Sequence, residues 1–224
     1  MPLPPDTVQA LVRIIEMKDL TTAAHTWRVV LYTRALAEYF GVEAESIGRL
    51  SVAAALHDLG KIDVPDEVLQ KPGKLTPEEF EIIKTHAALG HARLVAMGED
   101  DPVVLDLVRH HHERFDGGGY PDGLRGEATS AAARYFSVVD TFDALTSRRP
   151  YRQETGPEAE RAAIRELRAG VGSKYCAASV EAFAKLYESG ELGWIPEHFN
   201  DRESVPGYSG ELGAREARKN FRRR

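Results

Sequence analysis

The stretch SVAAALHDLGK, residues 51–61, places a histidine and an aspartate directly after a run of alanine and leucine. A run of this kind is typical of a deeply buried helix, and we expect that helix to end at Gly60. Burying the carboxylate of Asp58 there would cost several kcal/mol unless a counter-charge or a metal ion neutralises it. A structural salt bridge or a helix cap is the other interpretation, because His-Asp dipeptides are common by accident.

Helical signals also dominate the sequence on both sides of this stretch. They comprise an N-cap at Asp6, a stop at Gly41, a capping box from Thr76 through Pro77 to Glu79, and a second start at Asp101–Pro102. Three more segments with helical apolar spacing follow a glycine-rich loop, namely TSAAARYFSVVDTFDALTS, PEAERAAIRELRAG and SVEAFAKLYESG. Because no segment alternates apolar and polar residues as a strand does, the sequence predicts an all-α fold with a single helical bundle.

Composition limits the organisation and the partners of the chain. With 224 residues, 42% of them hydrophobic, it can bury one substantial core, so we expect one domain over residues 1–190 and a less regular, solvated and partly disordered tail over 191–224. A net charge of -6 argues against a general nucleic-acid surface. No signal peptide or transmembrane segment is evident, so we expect a cytoplasmic protein. The single cysteine, Cys176, excludes a cysteine-based metal cage and leaves histidine and carboxylate as ligands.

A second pair of acids lies in the apolar segment YFSVVDTFDALTS, residues 135–147. Asp140 and Asp143 are three positions apart and therefore share one helix face. A face turned to water is the other interpretation, but the valine, phenylalanine and leucine residues around the two acids weaken it. Both acids are therefore candidate functional residues.

Histidines supply the remaining candidate ligands. His25 lies at the front of an amphipathic helix and His86 in the middle of another, and each alone is more often a half-buried structural histidine than a ligand. His91 is rotated about 140° from His86 on a helix, so we expect it not to bind with His86. Of the consecutive histidines 110–112, no more than two neighbours can flank a common centre. A favourable charge at a helix C-terminus is the other interpretation of this triplet, although one histidine would be enough for it.

Together these side chains offer seven nitrogen and oxygen ligands from five helices. They are His25, His57, Asp58, His86, two of the histidines 110–112, and Asp140. Seven ligands exceed the usual needs of one ion and suit two. The sequence therefore predicts a binuclear metal centre.

Three motifs occur in unbroken order within residues 15–190: HDLGKIDVPDEVLQKPGKLTPEEFEIIKTH, HHERFDGGGYP and VVDTFDALTSRRPYR. This set resembles the HD-GYP family of the HD superfamily, bacterial phosphodiesterases that hydrolyse cyclic di-GMP, and it is far more specific than a lone His-Asp pair. The resemblance implies that the metal ligands are His25, His57, Asp58, His86, His111, His112 and Asp140. It leaves His110 outside the site.

The resemblance also implies catalytic roles. Asp58 is expected to bridge two divalent ions, iron or manganese in preference, whose bridging hydroxide attacks phosphorus and gives pGpG, GMP or both. Lys61 is expected to stabilise charge on a phosphate oxygen, and an ion pair with Asp58 or Asp63 is its other interpretation. Tyr120 is expected near the substrate phosphate, in a loop whose glycines let the backbone approach a ligand closely.

Three further residues are implied to bind substrate. Asp143 could bind guanine or orient a ligand, and Arg149 and Arg152 could hold phosphates and so supply local positive charge for an anionic substrate. Without the motif, solvated surface is an equally good interpretation of the two arginines.

Two departures from the family pattern affect these expectations. Thr21 stands where some members place a glutamate that binds a third metal, so we expect two ions. GSKYCAAS, residues 172–179, replaces a late G-x-x-F-D-P element and touches no expected ligand.

Two other functions remain open from the sequence. One is an HD-superfamily phosphohydrolase acting on another nucleotide, which the intact loop and SRRPYR disfavour. The other is a non-catalytic module that binds the dinucleotide or docks onto a diguanylate cyclase (GGDEF) domain through the GYP loop, which retention of every ligand and of Lys61 disfavours. A mixed cyclic GMP-AMP ring is an alternative substrate to cyclic di-GMP.

Overall fold

Helices account for the regular structure of the chain, for which the computed structural model describes residues 1–19, 23–147, 155–201 and 205–211 and the single residues 213, 215 and 219. The α-helices named here are α1 Pro5–Lys18, α2 Ala23–Tyr39, α3 Ala44–Leu56, α4 Asp66–Leu69, α5 Pro77–Ala96, α6 Pro102–His110, α7 Ala131–Thr146, α8 Pro157–Ala169, α9 Ala177–Glu188 and α10 Trp194–His198. Two 3₁₀ turns, Leu59–Asp63 and Gly126–Ala128, lie between them. The described ranges contain isolated bridges but no β-strand, so the predicted all-α fold is confirmed. None of the described helices is both long and apolar enough to cross a membrane.

One apolar core holds these helices together. Tyr32, Phe142 and Phe183 meet in it with ring centroids 4.9 to 5.7 Å apart, and all three are almost fully buried. Burial of such large rings contributes strongly to the free energy of folding. α2 contacts α3, α7, α9 and α10, so the helix that begins with the His25 turn lies at the centre of the bundle.

The helix of the opening stretch ends earlier than the sequence predicts. α3 ends at Leu56, and His57 and Asp58 lead into the 3₁₀ turn instead of continuing the helix to Gly60. In a 3₁₀ turn the side chains at positions i and i+3 eclipse one another. Lys61 therefore lies beside Asp58, and it does so through the 3₁₀ turn and not through a turn of α-helix.

Gly60 allows this turn to pack closely against α5. A Cβ atom at Gly60 would lie 1.9 Å from the carbonyl oxygen of His86 and 2.5 Å from the backbone nitrogen of Gly90. A tertiary contact, and not a helix stop, therefore requires glycine at position 60. This difference explains why the predicted helix end at Gly60 is wrong. The contact sets the distance between the turn carrying Asp58 and the helix carrying His86.

Two predicted helix starts are confirmed, and one is wrong. The Thr76 hydroxyl accepts a hydrogen bond from the Glu79 N–H, and the Glu79 carboxylate accepts one from the Thr76 N–H, which completes the capping box of α5. The carboxylate of Asp101 caps α6. α1 begins at Pro5 without a side-chain cap, so Asp6 lies in its first turn and is not its N-cap.

The described part of the C-terminal region packs on the core, so the expectation of a solvated, partly disordered tail is wrong for it. Its buried apolar side chains are Leu192, Ile195, Phe199 and Tyr208. Phe199 stacks on Trp27 with ring centroids 4.9 Å apart, and the Trp27 Nε1–H donates to the carbonyl of Pro206 at 2.7 Å. Helical periodicity does not reveal these residues because they lie on short turns with irregular spacing.

Candidate metal centre

Six of the seven expected ligands lie in two groups of three. One group is His86, His111 and His112, and the other is His25, His57 and Asp58. Within each group the candidate ligand atoms lie within 4.8 Å of one another, so one ion could contact all three side chains. The six residues come from α2, the turn after α3, α5 and the end of α6, and the fold thus assembles them from distant parts of the chain.

Three of these histidines are oriented by the backbone in the same way. The Nδ1 atoms of His57, His86 and His111 lie 2.8, 2.7 and 2.9 Å from the carbonyl oxygens of Ala54, Ile83 and Val108, each three residues earlier in the chain. Because a carbonyl only accepts, each Nδ1 carries a proton and donates it. When the ring is neutral, its lone pair is then on Nε2, which is the usual arrangement of a metal-binding histidine.

The chemistry of this donor set fits a divalent cation. The Nε2 atoms of His86 and His111 are 3.1 Å apart. Burial lowers the pKa of His86, and lowers the pKa of His111 well below its ordinary value, so both rings are neutral near pH 7. Two lone pairs at this distance repel each other, whereas a cation beside them would be coordinated by both.

Asp58 lies between the two groups. Its Oδ2 is 3.1 Å from Nε2 of His57, and its Oδ1 is 3.5 Å from Nε2 of His86. Burial alone would raise the pKa of Asp58, but His57 and Lys61 hold it well below its ordinary value, and the carboxylate is ionised. An ionised carboxylate with one oxygen toward each group is suited to bridge two ions.

Lys61 forms ion pairs with two carboxylates, those of Asp58 and Asp19. Its Nζ lies 2.9 Å from Oδ2 of Asp58 and 2.7 Å from Oδ2 of Asp19. Burial would lower the pKa of Lys61, but these two carboxylates raise it, so the ammonium stays charged. Of the two ion pairs considered from the sequence, the structure contains the one with Asp58, while Asp63 pairs with Arg93 instead. Asp19 is a site residue that the sequence pattern does not reveal, because nothing around it marks an inward-facing side chain.

Asp143 lies behind His25 with no exposed surface. Its Oδ2 is 2.7 Å from Nδ1 of His25, and its two oxygens accept hydrogen bonds from the guanidinium of Arg28 and from the hydroxyl of Ser147. Burial would raise the pKa of Asp143, but Arg28 and His25 hold it well below its ordinary value. This environment corrects the expectation that Asp143 could contact guanine and favours the other role considered, orienting a ligand. The buried Arg28 is a second residue that the sequence pattern does not reveal.

Asp140, the seventh expected ligand, lies on α7 beside the two groups. It is half-buried and belongs to neither close group. Burial acts to lower the pKa of both His57 and His112, and the charge of Asp140 acts to raise both. The net result is a raised pKa for His57, where Asp58 adds to the effect of Asp140, and a lowered pKa for His112. Its carboxylate is therefore near both groups, and its coordination of an ion stays a prediction.

The ring of Tyr120 packs against His112 with centroids 4.8 Å apart. Burial lowers the pKa of His112 to about 3, so its ring is neutral. Burial also raises the pKa of Tyr120, so its hydroxyl stays protonated and can donate a hydrogen bond. Tyr120 thus borders the three-histidine group, and its contact with a substrate phosphate stays a prediction.

Glu113 holds the glycine-rich loop in place. Its buried carboxylate accepts hydrogen bonds from three consecutive backbone N–H groups, those of residues 122–124, at 2.7 to 3.0 Å. At Gly119, a Cβ atom would lie 2.4 Å from the backbone nitrogen of Arg114, so the close approach expected of this loop is to its own chain. The position of Glu113 directly after the two candidate ligands His111 and His112 was the available sequence signal for it.

Other predicted positions lie outside the two groups or outside the described ranges. His110 is held by Asp106 and Asp122 at 2.8 and 2.9 Å, and His91 belongs to neither group of described residues. Three positions, Thr21, Arg149 and Arg152, fall outside the described residues. The expectations about a third ion and about phosphate contacts therefore stay predictions.

The chain is similar to known proteins in sequence and in fold. A family model described as HD domain matches residues 9–178. The chain is 39% identical over 183 residues to a cyclic di-GMP phosphodiesterase of Thermotoga maritima, covering 81% of this chain and 49% of that protein. It is 34% identical over 154 residues to the 3'3'-cGAMP-specific phosphodiesterase 2 of Vibrio cholerae, covering 66% of this chain and 28% of that protein. It superposes on Bd1817, a HDG"Y"P protein from Bdellovibrio bacteriovorus, with a TM-score of 0.59 and 22% identity, covering 75% of this chain and 53% of that one. The chain thus spans about half the length of these proteins or less.

Proposed function

This chain belongs to the HD domain family, within its HD-GYP group, and from that membership we propose that it is a metal-dependent phosphodiesterase that hydrolyses cyclic di-GMP. The observation that carries the proposal is the position of Asp58, with one oxygen toward each group of candidate ligands. The relative from Thermotoga maritima, named for that reaction, supports it.

Two ions would be held by the residues of the two groups. His86, His111 and His112 would contact one ion, His25 and His57 the other, and Asp58 both, with Asp140 as a further ligand. When bound, two divalent ions neutralise phosphate charge and activate water for attack on phosphorus. A set of imidazole and carboxylate ligands without thiolate suits iron or manganese.

The chain's own residues supply orientation and charge around the phosphodiester. The buried ammonium of Lys61, held by Asp19 and Asp58, adds positive charge close to the bridging carboxylate and so favours charge build-up on a phosphate oxygen. Tyr120 has a protonated hydroxyl beside His112 and can donate to a phosphate oxygen. Arg149 and Arg152 are proposed to bind the phosphates.

The test is hydrolysis of cyclic di-GMP by a preparation whose metal content is measured at the same time. We expect the metal-loaded chain to open the ring to pGpG or GMP, identified by chromatography, and the Asp58→Asn variant to lose turnover. His110→Ala is the matched control, since His110 lies outside both groups, and it should keep turnover. A fully loaded chain that leaves cyclic di-GMP intact would contradict the proposal.

A mixed cyclic GMP-AMP ring is a second candidate substrate, because a relative named for 3'3'-cGAMP is 34% identical to this chain. The values of kcat/KM for the two rings, measured side by side, decide between them. A larger value for the mixed ring would change the proposed substrate and leave the proposed metal centre in place.

Docking of a diguanylate cyclase (GGDEF) domain on the GYP loop stays a prediction. If the chain were only a docking module, Asp58→Asn would bind such a domain normally and would leave cyclic dinucleotide levels in cells unchanged. Under the proposed function, the same variant raises those levels.

A further inference from the structure

Arg28 connects the candidate metal centre to the C-terminal part of the chain. Its side chain is buried, and its Nε and Nη2 donate to the carboxylate of Asp143. Its Nη1 donates to the carbonyl of Phe199 at 2.8 Å and to the carboxylate of Asp201 at 2.9 Å. The planar guanidinium is therefore held by Asp143 on α7 and by two residues of the C-terminal region.

The same series of contacts continues to a candidate ligand. Asp143 Oδ2 lies 2.7 Å from Nδ1 of His25. Because both oxygens of Asp143 already accept hydrogen bonds, from Arg28 and from Ser147, Asp143 is an acceptor toward His25 as well, so the proton is on Nδ1 of His25 and the lone pair on Nε2. A rotation of the Arg28 guanidinium would move its donors away from Asp143, since the fork of a guanidinium is rigid.

Trp27, the residue before Arg28, determines where the C-terminal region packs on α2. Trp27 stacks on Phe199 with centroids 4.9 Å apart, meets Tyr208 edge to face at 5.1 Å, and donates to the carbonyl of Pro206 at 2.7 Å. These contacts hold Phe199, Pro206 and Tyr208 against α2. Asp201 is thereby placed opposite Arg28.

We propose that Phe199 and Asp201 are positioning residues for the group of candidate metal ligands that contains His25. They fix Arg28, Arg28 fixes Asp143, and Asp143 holds His25 with its Nδ1–H toward the interior and its lone pair available to an ion. The inference rests on the metal centre of the proposed function, but it concerns ligand orientation and not the identity of the substrate.

The first test compares metal binding by Asp201→Ala with that of a matched control. Asp201→Ala removes one of the two acceptors on Arg28 Nη1 and leaves every candidate ligand in place. We expect its affinity for one Mn²⁺ to fall roughly 10-fold to 100-fold, as is usual when the partner that orients a ligand is lost, while the second Mn²⁺ binds as in the wild type. Glu197→Ala removes the same charge from an exposed side chain of the same region and should bind both ions normally.

The second test reads the orientation of His25 without any metal or substrate. Nitrogen-15 NMR of the His25 ring in the metal-free chain should show the Nδ1–H form in the wild type and in Glu197→Ala, and a mixture of tautomers in Asp201→Ala. If Asp201→Ala does not fold, Asp201→Asn, which keeps one acceptor oxygen, should show a smaller change in the same direction. Wild-type affinities and a wild-type tautomer in a folded Asp201 variant would overturn the inference. Neither readout depends on hydrolysis, so the inference and the proposed function can fail separately.

Discussion

Adjacent histidines of this chain are set to different charges by their surroundings. Burial lowers the pKa of His111 and of His112. Burial also acts to lower the pKa of His110, but the carboxylates of Asp106 and Asp122 outweigh it and raise that pKa above its ordinary value. A histidine binds a metal through an unprotonated nitrogen, so within this triplet the surroundings of each ring, and not the residue type, separate candidate ligand from ion-pair partner.

His112→Ala and His110→Ala therefore test the assignment of this triplet. We expect His112→Ala to lower the metal content from about two ions per chain to about one, because one ion loses one of its three histidine ligands. His110→Ala should keep the wild-type metal content. The measurement is elemental analysis after dialysis, and equal losses in the two variants would contradict the assignment.

Lys61→Met tests the buried charge balance. Without the ammonium, the carboxylates of Asp19 and Asp58 lose their shared counter-charge, and we expect the free energy of unfolding of the metal-free chain to fall by about 3 kcal/mol. The measurement is urea unfolding, with Lys174→Met as the control because the Lys174 side chain is largely exposed. A Lys61→Met chain as stable as the control would show that the two acids do not need this cation.

At the residue scale, the sequence identified six candidate ligands that the fold brings into two close groups, but it did not identify the residues that orient them. The ligands belong to short motifs whose chemistry is recognisable by residue type. Asp19 and Arg28 have no such motif, and the position of Glu113 in HHERFDGGGYP does not reveal its role, since the role of each of the three depends on a partner brought close by folding. The same limit explains why Asp143 was considered for substrate contact.

Gly60 allows two elements of the candidate metal centre to pack with their backbones in direct contact. The 3₁₀ turn carries Asp58, α5 carries His86, and Gly60 is where the two elements touch. A backbone contact of this kind cannot relax by side-chain rotation. The spacing of the two candidate metal groups therefore depends on the absence of one Cβ atom.

Gly60→Ala is expected to destabilise the chain by about 3 kcal/mol, because its Cβ would overlap the His86 carbonyl and force the turn away from α5. The measurement is urea unfolding of the metal-free protein. Gly48→Ala is the matched control: Gly48 lies within α3, a Cβ atom there meets nothing within 4 Å, and the variant should gain roughly 0.5–1 kcal/mol. Equal effects in the two variants would contradict the close contact.

Glu113→Ala is expected to release the GYP loop. Three backbone N–H groups lose a buried charged acceptor, which should lower the free energy of unfolding by about 3 kcal/mol and speed hydrogen exchange at residues 122–124. The exposed Glu127 serves as the control, since Glu127→Ala removes the same charge from a nearby turn. Unchanged exchange at residues 122–124 in Glu113→Ala would contradict this role.

At the element scale, local signals were predicted better than tertiary ones. The starts of α5 and α6 follow from caps that act within four residues of sequence. The end of α3 does not, because its glycine serves a neighbour 26 to 30 positions away. Helix boundaries that are set by packing require the structure.

Across the whole molecule, the candidate ligands join helices that are remote in sequence. His25 lies in α2 and His112 follows α6, with the remaining close ligands on the elements between them. The unfolded chain has no site equivalent to either of these two groups of candidate ligands. Metal binding should therefore add directly to the stability of the fold.

Metal removal tests this coupling. At a free ion concentration of about 100 times Kd, each ion should add about 2.7 kcal/mol to the free energy of unfolding, and a chelator should remove that gain. The measurement is urea unfolding with Mn²⁺ and with chelator, and Asp58→Asn should show a much smaller difference. Identical unfolding midpoints with and without metal would contradict the assignment of the centre.

The fold class of the whole molecule was predictable, whereas its C-terminal packing was not. The all-α class follows from apolar periodicity that extends over many helical turns. Phe199 and Tyr208 lack such periodicity, and both pack against Trp27, which is remote in sequence. Isolated anchoring residues of this kind carry no repeating pattern for a sequence to display.

The packing of Phe199 and Tyr208 against Trp27 of α2 has a consequence for biosynthesis. During translation the chain leaves the ribosome from its N-terminus, so α2 is available for folding long before Phe199 covers Trp27. A nascent chain that has released all the candidate ligands still lacks the partners of Arg28 that come from Phe199 and Asp201. The hydrogen bonds around Arg28 can thus be completed only after Asp201 has emerged from the ribosome.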